Sequence, residues 1–285
     1  MTNSHILAAL DGSPGSALVA DWAAARAEAL HAGLALVHVT PASWAFRTPE
    51  DLVLANKRAA DLLTSESERI GRAHPGLDVS CKVLSGEPAE TLAALSPSAA
   101  LLVAGTDRGP GTEGQGYGSV SFQIAVTSQC PVAIIPRRTA GQPSGVVAGV
   151  DGSPDSIRAL ELAAGEAHRL GEELVIVHAT GPVHGGQQQD EVVADAVDWV
   201  RSQFPDVEVR VRLDPVHHAA EALAAASHGA RLLVIGRKGR GGLRVLLGSV
   251  AQHTLLNVQC PTMLALPATI PAGATLSGLA ANDGG

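Results

Sequence analysis

The chain repeats itself once, and that repeat limits the folds open to it more than any other feature. Ala9-Leu10-Asp11-Gly12-Ser13-Pro14 returns as Gly149-Val150-Asp151-Gly152-Ser153-Pro154, and Leu36-Val37-His38 as Ile176-Val177-His178, both 140 residues later. Gly118-Ser119-Val120 returns as Gly248-Ser249-Val250, and Gln129-Cys130-Pro131 as Gln259-Cys260-Pro261, at a spacing of 130. The second copy therefore lacks ten residues, net, between about His178 and its third strand, where the first carries residues 42–56. Loops tolerate length changes and packed elements do not, which predicts that the difference lies in a loop. The expected domains are residues 1–138 and 145–268, with a polar linker at 139–144 and an Ala/Gly-rich flexible tail at 269–285.

Within each copy, strand-like and helix-like segments alternate. In the first copy, residues 6–10 form a short apolar run, and Ser13 then offers an N-cap with Pro14 in the first turn of a helix through Leu18, Trp22 and Leu30. Residues 34–39 are a second apolar run, residues 51–72 a helical stretch, and residues 77–84 an alternating strand. Helix 87–95, strand 101–104, helix 119–128 and strand 132–135 complete the copy. The second copy repeats this order, with residues 207–213 as its alternating strand. Alternating β and α units predict an α/β fold: two tandem five-stranded parallel sheets, each covered by helices on both faces. Continuous apolar strands are buried on both faces and an alternating one is half exposed, so the third strand belongs at an edge. The fifth strand is apolar throughout and unsuited to an exposed edge. The two fifth strands are therefore expected to cover each other, joining the copies as an intrachain pseudo-dimer.

Composition narrows the function. A chain of 285 residues that is 46% hydrophobic can bury two ordinary cores, which excludes wholesale disorder. No apolar stretch reaches the roughly 18 residues of a membrane span. The start lacks a basic region, and Asp11 cuts its apolar run, so no signal peptide is expected. A net charge of −8 and an aromatic share of 2% argue against a nucleic-acid binder. Cys81, Cys130 and Cys260 form no CxxC pair and no even framework, which fits a cytoplasmic chain with reduced thiols.

In an open parallel sheet, ligands bind beyond the carboxyl ends of the strands, where strand order reverses. Two features of each copy fall there. Asp11 and Asp151 end the first strands; a carboxylate there repels phosphate but can accept from a ribose hydroxyl or an adenine amino group. Asp-Gly is common in turns, and alone the plain turn reading stands ahead. The second feature follows the fourth strand. The second copy reads Gly236-Arg237-Lys238-Gly239-Arg240-Gly241-Gly242, then Gly248-Ser249-Val250. Glycines let backbone N–H groups close on an anion, a helix N-terminus follows, and no acid interrupts Arg237, Lys238, Arg240 and Arg244. Phosphate binding is the better reading of that stretch than a solvated basic loop. The first copy's stretch, residues 105–120, sets Asp107 and Glu113 against Arg108 and is the poorer cradle.

The ordered set of Asp-Gly-Ser after strand one, Val-His after strand two and a glycine loop ending Gly-Ser-Val resembles the universal stress protein family, in its tandem two-domain actinobacterial type. The resemblance covers nearly all of residues 5–267. It implies a five-stranded parallel Rossmann-like sheet of the HUP type. It also implies membership of the ATP-binding branch, whose motif is Gly-x2-Gly-x9-Gly-[Ser/Thr]. The adenine and ribose side would then be Ala9, Asp11 and Val39 in the first copy and Gly149, Asp151 and Ala179 in the second. The phosphate side would be Gly105, Arg108, Gly118, Ser119 and Val120, then Gly236, Arg237, Gly239, Arg240, Gly248, Ser249 and Val250. Arg108 stands where the motif has its second glycine, and eight residues rather than nine separate Gly239 from Gly248. The second copy shows His217-His218-Ala219 where the first keeps Gly86-Glu87-Pro88.

No nucleophile elbow and no base partner for a serine are found, and His217 with His218 lacks the surroundings of a metal site. His38 and His178 read as hydrogen-bonded structural residues, and Cys130 and Cys260 as buried inert thiols. The expected function is that of a nucleotide-dependent stress regulator. It would hold ATP, with Mg²⁺, and turn it over slowly or not at all. Its partners would be the adenine nucleotide and a protein of unspecified identity, with homodimerisation left open. Two alternatives stand. One is a dimerisation scaffold without nucleotide. The other is an ATP-using enzyme, since Asp151-Gly152-Ser153-Pro154-Asp155-Ser156 faintly resembles the Ser-Gly-Gly-x-Asp-Ser loop of ATP pyrophosphatases.

Overall fold

Every strand of the first unit pairs in parallel with its neighbours, as the alternation of elements demands. In the computed structural model, which describes residues 5–42, 45, 47–106, 120–137, 141–181, 187–239 and 246–266, the chain forms two units, Met1–Arg137 and Arg138–Gly285. Strand β1 (His5–Ala9) pairs with β2 (Gly33–Thr40) on one side and β4 (Leu101–Thr106) on the other. Beyond them lie β3 (Val79–Ser85) against β2 and β5 (Val132–Pro136) against β4. The order is β3-β2-β1-β4-β5, so the alternating third strand holds the expected edge. Chain direction across the sheet reverses between β1 and β4, which opens a crevice at their carboxyl ends.

The second unit has the same plan. Its strands are β6 (Val146–Gly149), β7 (Leu174–Ala179), β8 (Val209–Asp214), β9 (Leu232–Ile235) and β10 (Thr262–Leu264). The order is β8-β7-β6-β9-β10, all parallel. Ile6, Leu34, Leu36 and Leu102 in the first unit, and Leu174, Ile176 and Leu232 in the second, are fully buried. Each contributes about 1.5–3 kcal/mol by leaving water.

The helices sit close on the sheets because the faces they bury are small. Helix α1 (Ser16–Ala29) buries Val19, Ala20, Ala23, Ala24 and Ala27, and its counterpart α5 (Pro154–Leu170) buries Ala159, Leu160, Ala163, Ala164 and Ala167. The expected N-cap holds in the second unit: Ser153 accepts from Ser156 N–H at 3.2 Å, with Pro154 in the first turn. In the first unit it does not. There the helix starts two residues later, with Gly15 as cap, and the Ser13 hydroxyl accepts only from Gly15 N–H at 3.3 Å. Gly15 matches Asp155, and a glycine in a first turn costs about 1 kcal/mol of helix propensity. The C-terminal ends differ as well. Gly171 closes α5 in the left-handed region at φ 64°, whereas His31 fills the matching position at φ 51°. Glycine takes that conformation without steric cost and histidine does not.

The ten-residue difference between copies also lies elsewhere than expected. Helix α2 (Pro49–Ala73) has 25 residues and its counterpart α6 (Gln187–Gln203) has 17. Most of the change is therefore helix length. The extension is tolerated because it projects past the sheet: Val53 and Leu54 are exposed, and Ala59 is the first buried residue of α2. A capping box secures its free end, with Thr48 accepting from Asp51 N–H and Asp51 accepting from Thr48 N–H.

Candidate functional site

The turn after β6 is built by Asp151. Its carboxylate accepts from Ser153 N–H at 2.9 Å, and Gly152 takes φ 77° to let the chain swing into α5. Ser156 folds back beneath it: the Asp151 N–H donates to the Ser156 hydroxyl at 3.3 Å, and that hydroxyl donates to the Ser153 carbonyl at 2.9 Å. From the neighbouring strand, His178 Nδ1 lies 2.6 Å from the Val150 carbonyl. The partner is a carbonyl, so Nδ1 carries the proton, and the ring ties the ends of β6 and β7 together.

Beyond β9 the glycine loop begins. A Cβ on Gly236 would lie 2.8 Å from the Asp155 carbonyl carbon, so only glycine lets the strand end pass so close under α5. Lys238 N–H donates to the Asp155 carboxylate at 3.0 Å, and the Ser153 hydroxyl reaches the Lys238 carbonyl at 3.4 Å. Gly248 N–H donates to the Arg237 carbonyl at 2.7 Å and caps α8 (Ser249–Leu256) with no side-chain hydrogen bond. The first amides of α8 therefore keep their donors for whatever enters, at the positive end of the helix.

These elements enclose a cavity of about 450 Å³, within the size range of small-molecule sites. Its walls are of three kinds. Val150, Val177, Ala179, Leu223 and Ile235 are apolar; Asp151 is acidic; Arg237, Lys238, Gly239 and the start of α8 are basic or donor-rich. Gly149, Asp151, Ala179, Gly236, Arg237, Gly239, Gly248, Ser249 and Val250 all line it, while Arg240 lies outside the described residues. Sequence reasoning missed Leu223 of α7 (Ala219–Ser227), which closes the apolar wall, and Asp155, whose side chain holds the loop. Asp155 was visible as the first-turn acid of α5, but nothing in the sequence aims it at Lys238.

The first unit carries a cavity of about 170 Å³ at the matching place, lined by Ala9, Asp11, Val39, Gly105 and Val120 among others. Arg108, Gly118 and Ser119 lie outside the described residues. Arg137, past the end of β5, also lines it and was not foreseen. The signal was a cation one residue beyond a strand adjacent to β4, on the same carboxyl side. Here Asp11 accepts from Ser13 N–H and from the Ser16 hydroxyl, each at 2.9 Å. Burial alone would raise its pKa, but the Ser13 and Ser16 hydrogen bonds outweigh that and hold it below the usual 3.8. A carboxylate depressed on folding stabilises the fold above its unfolded pKa and loses that contribution as pH falls through its folded value. Asp11→Asn is therefore expected to lower stability at pH 7 by less than about 1 kcal/mol, given its solvent screening, with the gap narrowing once pH is taken below the usual 3.8. Urea unfolding on either side of that pH checks this.

The other candidates are structural. His38 Nδ1 meets the Leu10 carbonyl at 2.7 Å, as His178 meets Val150. His217 pairs with Asp214 at 3.0 Å, and hydrogen bonds from the His217 amide and ring with the Val216 amide hold that carboxyl low. Among the described residues, no three His, Cys, Asp or Glu gather where a metal could be held. Cys130 and Cys260 are buried, and burial pushes the Cys260 thiol up to about 12, whereas Cys81 is exposed on β3. An aromatic disulfide reagent should thus titrate one thiol of three in the native protein and the other two only on unfolding.

Residues 2–136 and 145–265 each match the Universal stress protein family. Universal stress protein Rv1996 of Mycobacterium tuberculosis (strain ATCC 25618 / H37Rv) is 30% identical over 304 residues, covering 93% of this chain and 95% of its own. Universal stress protein Rv2005c of the same organism is 30% identical over 289 residues, covering 91% and 96%. Both are mycobacterial proteins matched across the whole tandem repeat. Among solved structures, a universal stress protein from Archaeoglobus fulgidus DSM 4304 superimposes with a TM-score of 0.75 at 19% identity, over 94% of this chain and 97% of that one, a likeness of fold. No helix among the described residues is long and apolar enough to cross a membrane.

Proposed function

The chain belongs to the universal stress protein family, and from that premise we propose that its second unit is an adenine-nucleotide site through which it acts as a stress-responsive regulator. One observation carries the reading: a single cavity brings together an apolar wall, a carboxylate and a basic, glycine-lined helix N-terminus. Those three kinds of surface suit a base, a ribose and phosphates in turn. The flat apolar base would lie on Val150, Val177 and Ala179. Asp151 would accept from a ribose hydroxyl, and Arg237, Lys238 and the amides of α8 would face the phosphates.

The residues present fit ATP. A Cβ on Gly239 would lie 2.7 Å from the Asp151 carboxylate, and one on Gly248 3.3 Å from the Arg237 carbonyl, so side chains here would fill the cradle. Mg²⁺ would be held mainly by the phosphates and water, as is usual for this ion. The nucleotide would serve as a signal to be held, with slow or no hydrolysis. Three free thiols suit work in the reducing cytoplasm.

Denaturing the purified protein and identifying released small molecules by mass spectrometry tests the reading. Close to one adenine nucleotide per chain is expected. An empty protein that also fails to bind ATP with Mg²⁺ on titration would leave the scaffold reading in its place.

A further inference from the structure

Lys238 is gripped by its backbone. Its N–H donates to the Asp155 carboxylate at 3.0 Å and its carbonyl faces the Ser153 hydroxyl at 3.4 Å, so both polar groups of this residue are turned to the first turn of α5. The preceding carbonyl, of Arg237, is taken from the opposite side by Gly248 N–H at 2.7 Å. In a trans peptide the C=O and N–H point opposite ways. With the Lys238 carbonyl turned to Ser153, the next amide, Gly239 N–H, must point away from α5. That is the side of Gly248 and the cavity: Gly239 N lies 3.5 Å from where a Cβ on Gly248 would stand.

The first unit lacks this carboxylate. Gly15 occupies the position of Asp155 and offers no side chain, and Arg137 packs over it, 3.3 Å from where its Cβ would be. We infer that Asp155 is a positioning residue of the second unit: by holding Lys238 N–H it sets the glycine loop with Gly239 N–H aimed at a phosphate, a role that Gly15 at the matching position cannot fill. This rests on the nucleotide reading above. The carboxylate carries the same sign as the phosphates, so its benefit comes from where it puts the backbone and not from its charge.

Asp155→Ala, Asp155→Asn and Asp155→Glu separate the two effects, with ATP and adenosine titrated by calorimetry and amide exchange followed at Lys238 without nucleotide. Losing one buried charge-assisted hydrogen bond should weaken ATP about tenfold in Asp155→Ala and leave adenosine unchanged within about twofold. Asp155→Asn keeps an oxygen acceptor and should retain most of the ATP affinity. Asp155→Glu keeps the charge but misplaces the oxygen, and should lose ATP affinity as alanine does. Lys238 exchange should quicken in the alanine and glutamate variants only. Unchanged ATP affinity in both of these, or equal loss of ATP and adenosine, overturns the inference. If Asp155→Ala does not fold, the glutamate variant decides on the same criteria. Should the unaltered protein bind neither ATP nor adenosine, the nucleotide reading falls and the phosphate role with it, whereas a wild-type protein that binds both with variants that behave alike sinks the positioning role alone.

Discussion

Replacing Gly248 by glutamate is expected to weaken ATP binding to the second unit at least a hundredfold while leaving the chain folded. The backbone there tolerates a side chain: φ is −70° and ψ 158°, ordinary extended values, and the N–H bond to the Arg237 carbonyl survives any residue but proline. The added Cβ would sit 3.3 Å from that carbonyl oxygen and 3.4 Å from Lys238 Cα, a contact that a few tenths of an ångström relieves. The carboxylate beyond it is expected to enter the cradle that Gly248 lines. Two like charges some 4–5 Å apart at a protein surface repel by about 3–4 kcal/mol, and about 2.7 kcal/mol is already a hundredfold. Asp151→Ala makes the complementary test on the ribose side. It removes an acceptor and the 2.9 Å bond to Ser153 N–H, for a loss of about tenfold. Calorimetric titration gives the affinities and thermal unfolding shows whether the fold is kept. Retained wild-type affinity in both variants would mean that the nucleotide, if bound, sits elsewhere.

Much of this site could be read from residue order, because what it needs are short-range habits of the chain. Asp151-Gly152-Ser153-Pro154 specifies its own turn and cap, and the chain obeys it. The glycines before and after residue 240 announced a backbone cradle, and those described line the cavity. What stayed hidden depends on pairs far apart in sequence. Asp155 and Lys238 are 83 residues apart, and only the parallel pairing of β6 with β9 brings them into contact. Arg137 enters the first cavity through the position of β5 beside β4, again a matter of strand order. The same limit explains the misplaced cap. Ser13 and Ser153 carry identical local signals, but α5 is held at its first turn by the hydrogen bond that Lys238 N–H donates to Asp155, and α1 has Gly15 there. From Asp11 to Ser16 and from Asp151 to Ser156 the two stretches differ only at that glycine. The place of the ten-residue difference was misjudged for a different reason. Tolerance to insertion depends on whether an element's end is free, and only the exposure of Val53 and Leu54 reveals that α2 has a free end.

Two glycine-to-alanine substitutions in the second unit should move stability in opposite directions, and the difference measures how much of the site is built on close approach. Gly236→Ala places a methyl 2.8 Å from the Asp155 carbonyl carbon and 2.9 Å from its oxygen and Cβ. Two of these atoms are backbone of a helix start, so no rotamer change relieves the clash and β9 must separate from α5. Overpacking of this kind costs about 1–3 kcal/mol. For a unit of this size, each kcal/mol lowers the melting temperature by about 2–4 °C. Gly165 lies inside α5 with no atom within 4 Å of where its Cβ would be. There alanine meets no clash and removes unfolded-state freedom, so Gly165→Ala should stabilise by about 0.5–1 kcal/mol. Denaturant unfolding of both variants gives the two signs directly. The separation forced by Gly236→Ala must also loosen the Asp155 grip on Lys238, since both run through the same contact between α5 and the end of β9. ATP affinity should therefore fall with stability in Gly236→Ala and stay unchanged in Gly165→Ala. If the two variants proved equally stable, the close packing of β9 under α5 would not be what makes glycine necessary at position 236.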